Sequence, residues 1–308
     1  MGSIFVQIAS YRDPELKRTI TDCLSKAEQP EKLLFGICWQ HDEFEHLGEF
    51  ENDGRFRILD YPWQQSRGVA WARQKTQELY SGEDFTLQID SHTRFAKKWD
   101  KRLAASLLAL DSEAPILTTY PAIYRYVDGK EQLENTPAQR LIAERFNADG
   151  SIVQKSEPFD STETIAKPVA GTFLAAGFLF TLGRFCEEVK YDPDLYFTGE
   201  ELYLNFKAFT YGYDIYHPHE NYVWHLYARK EYPKHWQDHT KENKKNKVVD
   251  FAWEELQQKS AKKLRSIFYD QSADLLACGF GNKRTLREYE HQSGLDFKRR
   301  TIRNDGKK

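Results

Sequence analysis

The triplet Asp90-Ser91-His92 combines a carboxylate and an imidazole two positions apart. It directly follows residues 84–89, a short apolar segment with the composition of a buried strand. Side chains two positions apart on a strand point to the same side, and a divalent cation that accepts oxygen and nitrogen ligands, such as Mn²⁺, suits this pair. The triplet therefore predicts a metal site, although a strand that ends on a structural histidine would have the same three residues.

A second histidine pair, His235 and His239, has the i, i+4 spacing of zinc ligands on a helix. In the zinc peptidase motif the residue after the first histidine is the glutamate base, and this chain has Trp236 there. A solvated helix face is the alternative interpretation. A zinc hydrolase stays open at this point as a hypothesis that metal analysis of the protein would test.

The remaining chemical motifs point less clearly to a site. His217 and His219 flank a proline in a predicted turn, which favours a packing role. His225 lies between aromatic residues on a predicted strand and, taken alone, would be interpreted as a buried core histidine. The chain has no P-loop, no Gly-x-Ser-x-Gly and no protein-kinase motif set.

Short apolar segments alternate with helical patterns in the first hundred residues. The predicted strands are residues 4–10, 32–39, 56–61 and 84–89, and the predicted helices are residues 16–27 and 68–80. This alternation predicts an α/β protein with a mostly parallel sheet. Ligands bind outside the carboxyl ends of such strands, where three polar clusters fall, at residues 10–13, 40–42 and 90–92. We therefore expect a nucleotide site at this edge.

The second half of the chain is less regular. Residues 128–167 are polar and turn-rich and predict an insertion or a mobile loop, whereas residues 170–182 return to small and apolar side chains that suit a strand. A helix is predicted over residues 201–211. Beyond Pro233 the chain becomes basic, with helical patterns at residues 248–268, 270–278 and 284–291. We expect a catalytic domain at 1–232 and a helical C-terminal extension at 233–308.

Composition excludes several classes of protein. The 308 residues carry a net charge of −3, which gives no general argument for nucleic-acid binding. The chain has no run of 18 apolar residues, and the pattern of residues 1–12 predicts a strand and not a signal peptide. The four scattered cysteines lead us to expect a reduced, cytoplasmic protein. Residues 281–308 contain nine Lys and Arg against four Asp and Glu, so a peripheral contact with anionic lipid is an option beside a solvated basic end.

Four segments together resemble the sugar-nucleotide region of GT-A glycosyltransferases. They are RGVAWAR at 67–73, FTLQIDSH at 85–92, AGFLF at 176–180 and FTGEE at 197–201. They are similar in particular to polypeptide N-acetylgalactosaminyltransferases, which have an Asp-x-His form of the Asp-x-Asp motif, a Gly-Gly-Glu-Asn region and a late histidine. The resemblance implies a GT-A fold, which is a Rossmann-like nucleotide-diphospho-sugar transferase fold.

A second resemblance covers residues 4 to about 297. The segments IFVQIASYRDPEL at 4–16, FGICWQ at 35–40, QIDSHTRFAKKWD at 88–100 and GFGNKRTLREYEHQSGLDF at 279–297 resemble hydroxyproline-modifying N-acetylglucosaminyltransferases. The best-known member of that family is a cytoplasmic enzyme that acts on a ubiquitin-ligase adaptor. The resemblance is weak through residues 128–167, where an acceptor would be met.

These resemblances imply a retaining transfer of a sugar, N-acetylglucosamine first, from a UDP-sugar to a hydroxyl acceptor on a protein or glycan. They assign Asp90, His92 and His225 to Mn²⁺ or Mg²⁺, and Glu200 and Glu201 to catalysis. The implied UDP-sugar contacts are Ser10, Arg12, Asp13, Asp42, Arg67, Arg73, Asp90, Ser91, Arg229 and Tyr232. For Glu200 the alternative is a helix N-terminal acid favoured by the helix dipole.

Other functions stay open on the sequence alone. The same chemistry could serve surface-polysaccharide or lipid-linked glycan assembly, with the basic C-terminus touching the membrane. A sugar-nucleotide-binding module without catalysis is the non-enzyme alternative. The choice of donor among N-acetylglucosamine, N-acetylgalactosamine and glucose depends on pocket contacts that a one-dimensional pattern does not locate.

Overall fold

A computed structural model describes residues 2–159 and 166–303. The strands are β1 Ile4–Tyr11, β2 Leu33–His41, β3 Phe56–Pro62, β4 Phe85–Asp90, β5 Thr93–Phe95, β6 Pro115–Thr118, β7 Ala122–Val127, β8 Lys130–Leu133, β9 Gln139–Phe146, β10 Ile152–Pro158, β11 Val169–Ala170, β12 Phe178–Leu182, β13 Asp214–His217, β14 Val223–His225, β15 Leu295–Asp296 and β16 Thr301–Ile302. The helices are α1 Leu16–Lys26, α2 Val69–Gln77, α3 Trp99–Leu108, α4 Phe185–Glu188, α5 Glu200–Thr210, α6 His235–Asp238, α7 Lys241–Lys245, α8 Trp253–Leu264 and α9 Leu286–Ser293.

One half of the main sheet consists of four parallel strands in the order β3-β2-β1-β4. β1 and β2 are buried along nearly their whole length, as expected for parallel strands with helices on both faces. α1 packs Leu16 and Ile20 into one hydrophobic cluster, while Trp71 of α2 packs with Cys38 in another. This half confirms the predicted βαβ units and aligns the carboxyl ends of β1, β2 and β4.

The other half of the main sheet is mixed. β12 lies antiparallel between β4 and β6, and β13 and β11 complete the order. The turn before β12 brings Gly177 against the end of β4, where a Cβ atom on Gly177 would lie 2.8 Å from Asp90 Oδ2. A larger residue at position 177 would therefore crowd the carboxylate.

A small second sheet, in the order β5-β14-β7-β8, brings His225 to the end of β4. β14 pairs antiparallel with β5, so that His225 lies opposite Thr93. Thr93 is next to His92 in the chain, and the two histidines therefore become neighbours although 133 residues separate them. Only this sheet pairing makes them a pair.

The segment after Pro233 shares a hydrophobic core with α5. Phe206 of α5 contacts the rings of Phe268, Phe280 and Tyr289 at centroid distances of 5.5, 5.1 and 5.4 Å. Among the described residues, no helix has the length and apolar character needed to cross a membrane. The domain boundary near Pro233 stays a prediction, and the contacts show that the extension packs on the preceding part of the chain.

Three predictions about secondary structure need correction. Residues 128–159 form strands β8, β9 and β10 and not an irregular loop; residues 160–165 of that prediction lie outside the described residues. Of the strand predicted at 170–182, only Phe178–Leu182 pairs as β12 and position 170 belongs to β11. Residues 270–278 form turns and not a helix, and the helix predicted at 248–268 begins at Trp253. The antiparallel hairpin of β9 and β10 was not predicted, because the side chains on its outer face are polar and Leu141 is the one buried residue of β9.

Candidate active site

A cleft of about 510 Å³ opens at the carboxyl ends of β1, β2 and β4. This is the edge at which the polar strand ends predicted a nucleotide site. The predicted site residues that line it are Asp13, Arg73, Asp90, Ser91, His92, Glu200, Glu201, His225 and Arg229. They come from five separate parts of the chain, and the sheet order gathers them.

Asp90, His92 and His225 present three potential metal ligands to one another. The two Nε2 atoms of His92 and His225 are 2.9 Å apart, and His225 Nε2 is 3.1 Å from Asp90 Oδ2. The ligand atoms all lie within 4.8 Å of one another. Two imidazole nitrogens cannot both direct lone pairs at this separation unless a proton or a cation lies between them. The donor set of two nitrogens and one oxygen suits Mn²⁺ and related cations.

Asp13 orients His92 for this role. Its Oδ2 lies 2.7 Å from His92 Nδ1 and also accepts hydrogen bonds from Ser91 Oγ and Arg229 Nη1. A proton on Nδ1 leaves the Nε2 lone pair facing His225, which is the carboxylate–histidine arrangement found behind metal ligands. Burial lowers the pKa of His92 to about 4, and a neutral imidazole is the form that binds a metal.

The carboxylate of Asp13 stays ionised behind His92. Burial would raise its pKa, but the hydrogen bond with His92, the charge of Arg229 and the Ser91 hydroxyl lower it to about 2. The residue is only 6 % exposed. An ionised carboxylate in this position favours the Nδ1–H form of His92 over the whole physiological pH range.

Arg73 connects α5 with the three potential metal ligands Asp90, His92 and His225, which we call the metal-type cluster. Its Nη2 donates to Asp90 Oδ1 at 2.8 Å and its Nη1 donates to Glu200 Oε1 at 2.6 Å. Burial opposes the charged form of Arg73, but Glu200 and Asp90 outweigh it and raise the pKa of the guanidinium. For Asp90, burial is likewise outweighed by His225 and Arg73, which lower its pKa well below the usual value. Asp90, Arg73 and Glu200 therefore form a continuous ion-pair network in the cleft.

Glu200 and Glu201 are adjacent but have different partners. Glu200 is tied to Arg73, whereas Glu201 Oε1 accepts from the Ala176 N–H at 2.8 Å. The other oxygen of Glu201 accepts from the Tyr120 hydroxyl at 3.3 Å. Burial raises the pKa of Glu201 to about 7, although the Ala176 N–H lowers it. Burial also raises the pKa of Glu200, against the opposing charge of Arg73.

Five predicted UDP-sugar residues do not line the cleft. Ser10 is fully buried on the opposite side of β1 from Ala9 and Tyr11, which do line it. Arg12 pairs with Asp42 and with an aspartate of α6. Arg67 is exposed over a phenyl ring of the extension, and Tyr232 is half-buried outside the cleft.

Several residues of the cleft were absent from the predicted set. They are, among others, Gln40, Ser66, Tyr120, Gln154, Tyr196 and Lys234. Gln40 is the next-to-last residue of β2 and belongs to one of the three polar clusters, so the signal for it was present. Gln154 and Tyr120 had no such signal, because the hairpin and the turn that carry them approach the cleft only through tertiary packing.

His235 and His239 belong to no group of three potential metal ligands among the described residues, although His235 Nε2 is buried there without a hydrogen-bond partner. The rings stack at 3.8 Å with an interplanar angle of 6°. Both ring nitrogens of His239 lie 3.2 Å from backbone carbonyl oxygens, those of Phe251 and Trp63, and His235 Nδ1 lies 2.8 Å from the Tyr196 hydroxyl. His239 therefore serves packing, and the zinc-hydrolase hypothesis has no support in this geometry.

Comparison with known proteins agrees with this geometry. A family model described as Glycosyltransferase (GlcNAc) matches residues 3–55 and 46–299. The structure is similar to that of GalNAc-T7 with UDP, GalNAc and Mn²⁺, with a TM-score of 0.60 and 17% identity, over 95% of this chain and 55% of the other. This chain thus spans about half of that protein's length. The similarity confirms the predicted GT-A fold.

A weaker similarity concerns a second solved structure. The structure of S. aureus TarS 1-349 matches with a TM-score of 0.48 and 13% identity, over 94% of this chain and 77% of that one. No curated protein sequence matches the chain.

Proposed function

Because the chain belongs to the glycosyltransferase (GlcNAc) family, we propose that it transfers N-acetylglucosamine from UDP-N-acetylglucosamine to a hydroxyl acceptor. A divalent cation, Mn²⁺ or Mg²⁺, would be held by Asp90, His92 and His225. The observation that carries the proposal is the convergence of two Nε2 atoms and one carboxylate oxygen at the end of β4. A protein of the same fold was crystallised with UDP, GalNAc and Mn²⁺, which supports a UDP-sugar donor and a metal.

The residues present fit such a cation. The donor atoms are of the right type, His92 has its tautomer set by Asp13, and burial keeps that imidazole neutral. When bound, the cation would act as a Lewis acid that neutralises the negative charge developing on the leaving diphosphate.

Protein cations complete the donor site. Arg229 lines the cleft, pairs with Asp13 at 3.0 Å and keeps 21% of its side chain exposed. Lys234 lines the same cleft. Since the protein has a net negative charge, an anionic donor depends on such local positive groups. We assign Arg229 and Lys234 to the diphosphate.

The two glutamates of α5 have separate roles in this proposal. Glu200 holds Arg73 in place against Asp90 and so acts on the site through the arginine. Glu201, which titrates near neutral pH, accepts a hydrogen bond from a hydroxyl of the sugar or acceptor in its ionised form.

The finer features of the reaction are proposals from resemblance. They are retention at the anomeric carbon, an acceptor that is a protein hydroxyproline or a glycan, and a cytoplasmic location. A peripheral membrane contact through residues 281–308 belongs to the same group, and residues 304–308 of that segment lie outside the described residues.

A donor screen tests the proposed function. Purified protein would be incubated with Mn²⁺ and UDP-sugars, with and without hydroxyproline peptides, and released UDP would be measured. We expect UDP release from UDP-N-acetylglucosamine that excess chelator abolishes and Mn²⁺ restores. Binding of UDP with Mn²⁺ but no turnover of any donor would contradict the proposal and favour a binding module.

A further inference from the structure

The β9–β10 hairpin contributes two side chains to the cleft, Ile152 and Gln154. The strands pair antiparallel with a bulge where Val153 faces Arg145 and Gln154 faces Ala143. Bulges of this kind re-aim side chains and are common beside active sites. Neither residue belongs to the metal-type cluster or to the ion-pair network of Asp90, Arg73 and Glu200.

Contacts at both ends hold this hairpin in place. At its base, Thr119 Oγ1 donates to Gln139 O at 2.9 Å, and the Leu141 N–H donates to His217 Nε2 at 3.3 Å. At its tip, Arg300 of the C-terminal extension donates to Ala148 O at 2.9 Å. The side chains that the hairpin directs into the cleft are therefore positioned before any ligand arrives.

The amide of Gln154 has one satisfied and one unsatisfied end. Its Nε2 faces Glu201 Oε2 at 3.4 Å. Its Oε1 is buried and has no hydrogen-bond partner in the part of the chain that the structure describes. A buried acceptor without a partner is costly and calls for an explanation, and a donor group on a bound ligand would supply it.

The position of Gln154 limits which group of a bound ligand could donate this hydrogen bond. Glu201 follows Glu200, which Arg73 links to Asp90, so the amide lies on the α5 side of the cleft, beside the glutamate proposed above to contact a hydroxyl of the sugar or acceptor. Two positions along the strand, Ile152 adds an apolar surface to the same cleft. A hydrogen-bond acceptor beside an apolar side chain suits a group that has both an N–H and a methyl.

We propose that Gln154 and Ile152 form a subsite for the acetamido group of the donor sugar, in which Gln154 Oε1 accepts the amide N–H and Ile152 packs against the methyl. This inference rests on the proposed function and adds the residues that select an N-acetylated sugar. A sugar with a hydroxyl at that carbon would lose the methyl contact and fill the subsite less well.

Calorimetric titration with UDP, UDP-glucose and UDP-N-acetylglucosamine tests the subsite, because the two sugars differ at the acetamido carbon. We expect the wild-type protein to bind UDP-N-acetylglucosamine about tenfold more tightly than UDP-glucose. Gln154→Leu should abolish most of this preference, and Ile152→Ala should reduce it about threefold. Affinity for UDP alone should not change.

Lys155→Ala is the matched control, since Lys155 is exposed on the same strand and does not line the cleft; thermal unfolding would verify that each variant folds. Equal wild-type affinity for both sugars would overturn the subsite, as would a Gln154→Leu variant that keeps the preference or weakens UDP alone. No binding of UDP at all would instead overturn the proposed function.

Discussion

The protein has two pairs of neighbouring histidines, and the ring nitrogens of the two pairs have different surroundings. His92 and His225 meet at an angle of 73°, with their Nε2 atoms 2.9 Å apart and the Asp90 carboxylate beside them. His235 and His239 lie flat on each other at 6°, and both nitrogens of His239 face carbonyl oxygens. The first pair brings two Nε2 atoms and a carboxylate together, whereas in the second pair His235 Nδ1 and both nitrogens of His239 contact other polar groups of the fold.

The difference shows that the environment of the second ring nitrogen decides the role of a histidine. A carboxylate behind His92 fixes the tautomer that leaves Nε2 available. Each ring nitrogen of His239 lies against a backbone carbonyl oxygen, so neither nitrogen faces open space in which a cation could bind. The i, i+4 spacing of His235 and His239 is the familiar pattern for zinc ligands, but spacing does not report which groups face each ring nitrogen.

The comparison is tested most strongly by removing Asp90. In Asp90→Ala, the cation loses its only carboxylate ligand of the cluster, and we expect donor turnover to fall about 10³-fold or more, since such a cation contributes several kcal/mol. Turnover of UDP-N-acetylglucosamine at saturating Mn²⁺ is the measurement. Full activity of this variant, or of wild-type protein in excess chelator, would refute the metal assignment.

The role of Asp13 is the next largest expected effect. Asp13→Asn keeps the shape of the side chain but removes the charge behind His92, and we expect Mn²⁺ affinity to fall about 10- to 100-fold. Titration of Mn²⁺ followed by electron paramagnetic resonance would measure it. Unchanged affinity would mean that Asp13 does not act through His92, and Asp42→Asn, which removes a carboxylate outside the cleft, is the matched control.

A substitution in the second pair, His235 and His239, should lower the stability of the protein and leave metal binding unchanged. His239 is fully buried and burial lowers its pKa, so the neutral ring donates one N–H to a carbonyl oxygen. His239→Ala leaves that buried oxygen without its donor, and we expect a loss of about 2 kcal/mol in the free energy of unfolding. Chemical denaturation measures this loss, and Mn²⁺ affinity should stay at the wild-type value. A variant that loses Mn²⁺ while its stability is unchanged would reverse the comparison.

The smallest expected effect concerns a carboxyl group, that of Glu201, and the pH dependence of the protein's stability. The folded pKa of Glu201 is raised to about 7 from 4.5, so the fold binds a proton that the unfolded chain releases, and stability falls as pH rises between these values. Glu201→Gln removes this loss. Its melting temperature relative to wild type should rise from pH 4.5 to pH 7 and then level off; a constant difference would contradict the raised pKa.

Much of the parallel half of the fold could be predicted from the sequence. The apolar segments of β1, β2, β3 and β4 and the helical patterns of α1 and α2 are local, and the polar residues at the strand ends follow from them. The hairpin β9–β10 could not be predicted in this way, because only Leu141 and its neighbours on one face are buried. Its pairing and its approach to the cleft depend on His217 and on the C-terminal extension.

By itself, the sequence determined that Asp90 and His92 lie near each other, since β4 ends at Asp90 and His92 follows two positions later in the bend before β5. The tertiary structure decided which distant histidine joins them, because His225 reaches the pair only through its strand pairing beside Thr93. It also decided that Ser10, Arg12 and Asp42 turn away from the cleft, whereas Gln154 turns into it. The reason is physical: alternation along one strand is a local property, but the direction in which two strands meet is set by how the whole sheet packs.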